Sequence, residues 1–325
     1  MDSDHGKPME GAILTAILER LGSALARAPF DTRAPAGGAP PSWAGASALR
    51  DRWPGPAKDL RRGMHVLRAD GIDIGYVGAA RAARLACFHE VFHVGSGAIE
   101  FVPALADAPA RTAAMAGIAR ELAREGALTA WRDELYAVHE DFAAAPLFLL
   151  ERAAARYFGI HTFAAHVNGI VADAATPAGT GTTLWFARRS PAKPIDPGQL
   201  DNLVGGGISA ECGVAGTVVK EAWEEAGIDA ALAAQAKPAG SLYIERLHAD
   251  GLQRETIFVH DLDLPADFVP ANQDGEAVEH RRVGLDEAAR LIAASTGPDV
   301  VTVDASAVVL DLLLRYAAFD ARSRG

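Results

Sequence analysis

Gly206-Gly-Ile-Ser-Ala-Glu-Cys-Gly-Val-Ala-Gly-Thr-Val-Val-Lys-Glu-Ala-Trp-Glu-Glu-Ala-Gly-Ile228 is the stretch from which the rest of the 325-residue chain is best read. It opens on glycines, takes on helical spacing from Val214 to Ala226, and stops at Gly227, a residue suited to the left-handed turn that ends a helix. Within that helix Glu221, Glu224 and Glu225 are related by i, i+3 and i+4, so their carboxylates share one face. Val214, Val218 and Ala222 form an opposing apolar face for a core. Lys220 lies beside the acids.

Three carboxylates held so close repel one another. Two unit charges at about 4 Å cost about 1 kcal/mol in water and about 4 kcal/mol at an intermediate dielectric. A divalent cation removes that cost. Hard oxygen ligands, with no sulfur or imidazole among them, favour Mg2+ or Mn2+ over zinc. Such an ion neutralises phosphate oxygens, fixes a substrate and acidifies an attacking water, whose proton a neighbouring carboxylate can take. Taken alone, Glu-x-x-Glu-Glu is also the pattern of a solvated acidic helix face. The glycines before the helix, the glycine after it and the hairpin upstream set this segment apart.

Moving outward, Thr162–Ala172 and Thr182–Arg188 read as strands joined by a turn-rich insert (Thr176-Pro-Ala-Gly-Thr-Gly), which makes a hairpin. Gly205–Gly207 reads as a turn into the helix. Strands at Gly240–Glu245, Glu255–Asp261 and Ala277–Val283 follow, then helices at Leu285–Ala293 and Ala305–Phe319. On the N-terminal side, helices are expected at Ala12–Ala28, Ala79–Leu85, Arg111–Glu125 and Leu147–Phe158. Strands are expected at His65–Leu67, Ile72–Val77, Val91–Val94 and Ile99–Val102. Residues 1–10 are expected to be disordered, and Ala34–Pro56, rich in Pro, Gly, Ala and Ser, to be a loop. A boundary near Phe158 gives two units: an α+β N-terminal domain over 11–157 and a second domain over 158–325.

The glycine–helix segment resembles the Nudix box, G-x5-E-x7-R-E-U-x-E-E-x-G-U with U apolar. Gly206, Glu221, Ala222, Glu224, Glu225, Gly227 and Ile228 match. Lys220 stands where the family has Arg, keeping the charge and losing the planar fork. Cys212 stands where the family has its first Glu, which there braces the loop through the Arg. Asp261–Glu279 and Trp131–Val138 further resemble the thiamine-pyrophosphokinase-related branch of that family, whose members carry a domain of otherwise unknown function before the Nudix domain. The likeness runs from about Gly71 onward. It implies an α/β/α sandwich preceded by the smaller α+β unit, and Mg2+ (or Mn2+) held by Glu221, Glu224, Glu225 and the Gly206 carbonyl. It also implies cleavage of a diphosphate linkage, and in the fungal members of thiamine diphosphate and its oxo and oxy analogues. A further carboxylate from outside the box often serves such enzymes as ligand or base, and Glu279, with Glu276, is the candidate. Arg188, Gly206, Gly207 and Lys220 are the residues expected to contact the substrate, with Arg189 beside Arg188 as an alternative phosphate holder.

Two other readings compete. His89-Glu-Val-Phe-His93 fits the H-E-x-x-H zinc peptidase pattern. But the chain has ten histidines, and the run is short, β-rich and halted by Gly95-Ser-Gly97. Trp131, Leu135 and Tyr136 read as interdomain packing. A Nudix-like module that binds a nucleotide or cofactor without turnover is the second alternative, and Cys212 keeps it open.

The formal charge of −11 argues against a nucleic-acid partner and makes a cation necessary for holding a polyanionic substrate. Two cysteines, Cys87 and Cys212, cannot frame a disulfide scaffold and fit a reducing cytoplasm. The acidic N-terminus lacks the features of a signal peptide, and no run of about 18 apolar residues suggests a membrane span. A small diphosphate is the expected partner, with a homodimer as the family analogy.

Overall fold

The computed structural model describes residues 11–26, 29–30, 59–139, 141–172 and 181–323, with side chains to residue 316. The expected disorder of residues 1–10, the loop over 34–56 and most of the hairpin tip at 176–181 fall outside the described residues.

The N-terminal unit is built on a four-stranded sheet: β1 (His65–Ala69), β2 (Ile72–Val77), β3 (Phe92–Val94) and β4 (Ala98–Phe101), in the order β2-β1-β4-β3. β1 and β4 run parallel, and the other pairs antiparallel. Helix α2 (Ala79–Leu85) and helix α3 (Ala108–Arg124) cover it. α3 starts cleanly because the Asp107 carboxylate accepts from the Ala110 N–H at 2.8 Å and a proline occupies the first turn, where its missing N–H is not needed. Met115, Ile118 and Leu122 of α3 meet Leu67, Ile99 and Phe148 in one core. A separate hairpin, β5 (Leu135–Val138) with β6 (Phe148–Glu151), projects toward the second unit.

That second unit centres on β7 (His161–Val171), buried along nearly its whole length. Its sheet runs β11-β12-β7-β8-β13, where β8 is Thr183–Arg189, β11 Lys237–His248, β12 Gly251–Asp263 and β13 Ala277–Gly284. Short strands β9 (Leu200–Asn202) and β10 (Val204–Gly207) pair with β8 and β7. β7 lies parallel to β12 and antiparallel to β8 and β10. Side chains alternate across the strand. Phe163, Ala165 and Val167 pack under helix α4 (Val214–Ala226). Ala164 and Ile170 face helices α6 (Leu285–Ala293) and α7 (Val303–Ser323). A four-residue helix, α5 (Ala230–Ala233), follows α4. The result is a mixed sheet between two helical layers, the α/β/α sandwich the resemblance implies.

Three local expectations are corrected. First, helix α1 (Gly11–Ala24) does not pack with the N-terminal unit. Leu14, Ile17, Leu18 and Leu21 sink into the same core as α6 and α7, and burying each such side chain is worth about 1.5–3 kcal/mol. Residues 11–157 are therefore not one packing unit. Second, Leu147–Phe158 is not a helix but β6 followed by a single 3-10 turn at Arg152–Ala154. An apolar run this short reads as either period, and pairing of Phe148 with Val138 and Leu150 with Tyr136 decides it. Third, Gly205–Gly207 is not a turn but lies within strand β10, paired to β7.

Candidate active site

Helix α4 ends where the sequence expects, with Gly227 in the left-handed region at φ 65°. The chain returns onto this end: Gln273 N–H donates to the Glu224 carbonyl at 2.7 Å and Ala271 N–H to that of Ala226 at 2.9 Å. The His280 ring contacts the Glu225 carbonyl through Nε2 at 3.0 Å. The helix bearing the three glutamates is thereby fixed against the sheet.

Glycines explain how the acids reach the sheet edge. A Cβ on Gly206 would fall 2.3 Å from Glu221 Cδ, so the bare backbone lets the Glu221 carboxylate lie over β10. Gly205 N–H donates to Glu225 Oε2 at 2.8 Å. Lys220 Nζ donates to Glu221 Oε1 at 2.9 Å and Glu224 Oε2 at 2.8 Å. The lysine that stands where the family has Arg thus bridges two acids rather than bracing the loop.

Burial pushes the Glu221 carboxyl above the ordinary carboxylate range, against the pull of Lys220. Burial, and then the nearby Glu221, drive Glu225 further up. Burial works against the Lys220 ammonium too, but its bonds to Glu224 and Glu221 outweigh that and hold it high. Among the described residues, no three His, Cys, Asp or Glu side chains already converge at metal-ligand spacing. The acids nonetheless form an oxygen-only donor set with an unmet demand for positive charge, and the half-exposed Lys220 supplies that charge in part. This set fits Mg2+ or Mn2+.

A cavity of about 220 Å³ opens beside these residues. Gly205, Gly206, Gly207 and Glu221 line it from the box side, Thr162, Ala164 and His166 from β7, and Tyr136 and Arg152 from the N-terminal unit. Arg132, Arg189, Lys193 and Glu276 also face it. The cations are held in place: Arg132 donates to Glu276 at 3.0 Å, Lys193 pairs with the same carboxylate, Arg152 donates to Glu134 at 2.6 Å and Arg189 to Asp201 at 2.7 Å. At the far end Gln253 Nε2 donates to Glu255 Oε2 at 3.2 Å and to Asp304 Oδ2 at 3.0 Å. Burial, and then Asp304, raise the Glu255 carboxyl.

The structure gathers Glu221, Glu224, Glu225, Gly206, Gly207 and Lys220, as the sequence led us to expect. It does not bring Arg188 and Glu279 to them. These two pair with each other at 2.6 Å, and Arg188 also bonds Asp299 at 2.5 Å, away from the cavity. Side chains alternate along β8, so the cavity receives Arg189 and not Arg188; Glu276, just before β13, enters it too, while Glu279 lies past a bulge in that strand. Of the histidines in the peptidase pattern, His89 and Glu90 lie in a turn and His93 on β3, all exposed. No helix places the two rings together, which removes that reading.

Sequence reasoning read Tyr136 as interdomain packing and did not give it a place at the cavity. A Cβ on Gly207 would fall 1.8 Å from Tyr136 Oη, so that phenol sits against the glycine strand. Ala210 N–H, in the loop between β10 and α4, donates to the Leu135 carbonyl of β5 at 2.7 Å. The loop brace that Cys212 cannot provide comes from this strand. Paired aromatic and acidic residues in Trp131–Val138 were the only signal.

Family models match both parts of the chain. A family model described as a domain of unknown function, DUF4743, matches residues 58–162, and the NUDIX domain model matches 162–302. The chain is 34% identical over 254 residues to Nudix hydrolase 24, chloroplastic, of Arabidopsis thaliana, covering 78% of this chain and 67% of that protein. It is 36% identical over 215 residues to Nudix hydrolase 20, chloroplastic, of the same plant, covering 66% of this chain but only 55% of that one. An uncharacterized Saccharomyces cerevisiae protein, YJR142W, is 31% identical over 251 residues, covering 71% and 72% of the two chains. Among solved structures, a MutT protein from Methanosarcina mazei aligns with a TM-score of 0.34 at 15% identity, over 50% of this chain and 95% of that one.

Proposed function

The chain belongs to the Nudix hydrolase family and is a hydrolase of phosphorus-containing anhydrides, and from that premise we propose that it is a Mg2+- or Mn2+-dependent diphosphatase acting at Glu221, Glu224 and Glu225. The observation that carries this is the placement of Glu221 over the bare backbone of Gly206 and of Glu225 on the Gly205 N–H, with Glu224 joined to Glu221 through Lys220 on the same helix face. Glu221, Glu224, Glu225 and the Gly206 carbonyl would hold the ion. When bound, it supplies charge neutralisation at the phosphates and acidification of water. Glu221, the member of the three that lines the cavity, takes the proton of the attacking water. Arg132, Arg152 and Lys193 set a positive wall opposite, which orients the diphosphate and favours the charge that develops on it. The products are a monophosphate ester with phosphate or a second monophosphate.

For the substrate we propose thiamine diphosphate or its oxo and oxy analogues. The resemblance to the thiamine-related branch supports this. No helix among the described residues is long and apolar enough to cross a membrane, and the free cysteines suit a reducing compartment, for which we propose the cytoplasm.

The test is release of phosphate or monophosphate from thiamine diphosphate, its oxo analogue, ADP-ribose and nucleoside triphosphates with Mg2+, by the native protein and by Glu224→Gln. Selective turnover of the thiamine compounds, lost by a factor on the order of 100 or more in the variant, is expected. Preference for ADP-ribose or a nucleotide would overturn the substrate. Binding without any turnover would favour a non-catalytic module.

A further inference from the structure

Tyr136 belongs to the N-terminal unit, yet its phenol occupies the space that a side chain on Gly207 would need. The side chain is 7% exposed, and it lines the cavity together with Gly206, Gly207 and Glu221. Its Oη makes no hydrogen bond to any described residue and is not among the fully buried unpartnered side-chain atoms, so it keeps access to the cavity. A phenolic O–H that reaches the cavity without a protein partner is placed to donate to an acceptor bound there. Water can fill that place while the cavity is empty.

The phenol is also held in position. The Arg152 guanidinium lies over its ring at 5.6 Å and is itself bonded to Glu134 at 2.6 Å. One residue earlier, the Leu135 carbonyl receives the Ala210 N–H from the loop that leads into the glutamate helix. The same strand therefore fixes Tyr136 and the box loop relative to each other. A preorganised donor beside a site for anionic oxygens is the arrangement that stabilises developing charge.

We propose that Tyr136 is a catalytic residue contributed by the N-terminal unit, its phenolic O–H donating to a non-bridging phosphoryl oxygen of the diphosphate held beside Glu221. This rests on the diphosphatase reading above. The N-terminal unit thereby completes the active site rather than only covering it.

The test is steady-state turnover of the best substrate in the panel by the native protein, Tyr136→Phe and Glu224→Gln, with melting temperatures for all three. Phe keeps the ring and its packing and removes only the O–H. A fall of about 10–100-fold in kcat/KM for Y136F, carried mainly by kcat and with the melting temperature unchanged, supports the proposal. Kinetics within about twofold of native for Y136F, while E224Q is inactive, overturns it and leaves the diphosphatase reading standing. Undiminished turnover by E224Q overturns that reading and the proposal with it. If the native protein turns over no compound, calorimetric binding of inorganic diphosphate with Mg2+ decides. A Kd about tenfold weaker in Y136F supports the contact, and an unchanged Kd overturns it.

Discussion

Arg188 and Arg189 are neighbours in the chain and opposites in the fold. Arg189 faces the cavity, while Arg188 is tied to Glu279 and Asp299 on the other side of the sheet. A strand sends successive side chains to opposite faces, but the sequence does not say which face carries the site. Glu276 precedes strand β13 and a bulge between Ala277 and Glu279 resets that strand's alternation, so periodicity does not choose between the two acids. Arg188→Ala is expected to leave kcat/KM within about twofold of native and to lower stability by about 1 kcal/mol, the usual worth of a part-exposed ion-pair network. Steady-state kinetics with a denaturant melt checks this, and a loss of activity beyond tenfold would return Arg188 to the site. The glutamates and glycines were legible because helical spacing fixes their mutual placement without any knowledge of the sheet. Tyr136 was not legible, because its neighbour Gly207 lies about seventy residues on and meets it only through the tertiary fold.

At the scale of the element, helix α4 carries the chemistry and its boundaries were readable in full. An apolar face, three acids at helical spacing and a terminal glycine all agree, and such agreement across levels is what makes a segment predictable. The strand Val204–Gly207 was less readable, because glycines usually signal turns. Here they serve close approach, with Glu221 over Gly206 and Tyr136 against Gly207. The elevated Glu221 and Glu225 carboxyls make this element pH-sensitive. Both are raised in the folded state, chiefly by burial. Each therefore contributes stability that is fully present below the ordinary carboxylate range and is lost as pH rises through its raised value. A divalent cation binds the deprotonated forms and releases their protons. The rise in melting temperature on adding Mg2+ is expected to be a few degrees larger at about pH 8.5 than at about pH 6. Thermal melts at both values check this, and a gain that shrinks with pH would place the metal elsewhere.

Across the whole molecule, two layers of order meet at one cavity. The α/β/α sandwich supplies the glutamates and the glycine strand, and the N-terminal unit closes over them with Tyr136, Arg152 and the Leu135 carbonyl. The arrangement accounts for a box that departs from the family at Lys220 and Cys212. Lys220 bridges the acids, and the loop is braced from the neighbouring unit. The boundary expected near Phe158 lies close to residue 162, where the two family models meet. The seating of α1 on the C-terminal core was not legible, because an amphipathic helix announces an apolar face without naming the surface it covers.

The central claim is that the carboxylates of α4 hold a divalent cation on which hydrolysis depends. The most direct measurement is the rate of diphosphate cleavage after chelation and during stepwise return of Mg2+, for the native protein and Glu225→Gln. The account predicts that chelation abolishes cleavage, that Mg2+ restores it saturably in the native protein, and that the variant stays inactive at every concentration. Cleavage that survives chelation, or a variant rescued as readily as the native protein, would contradict it.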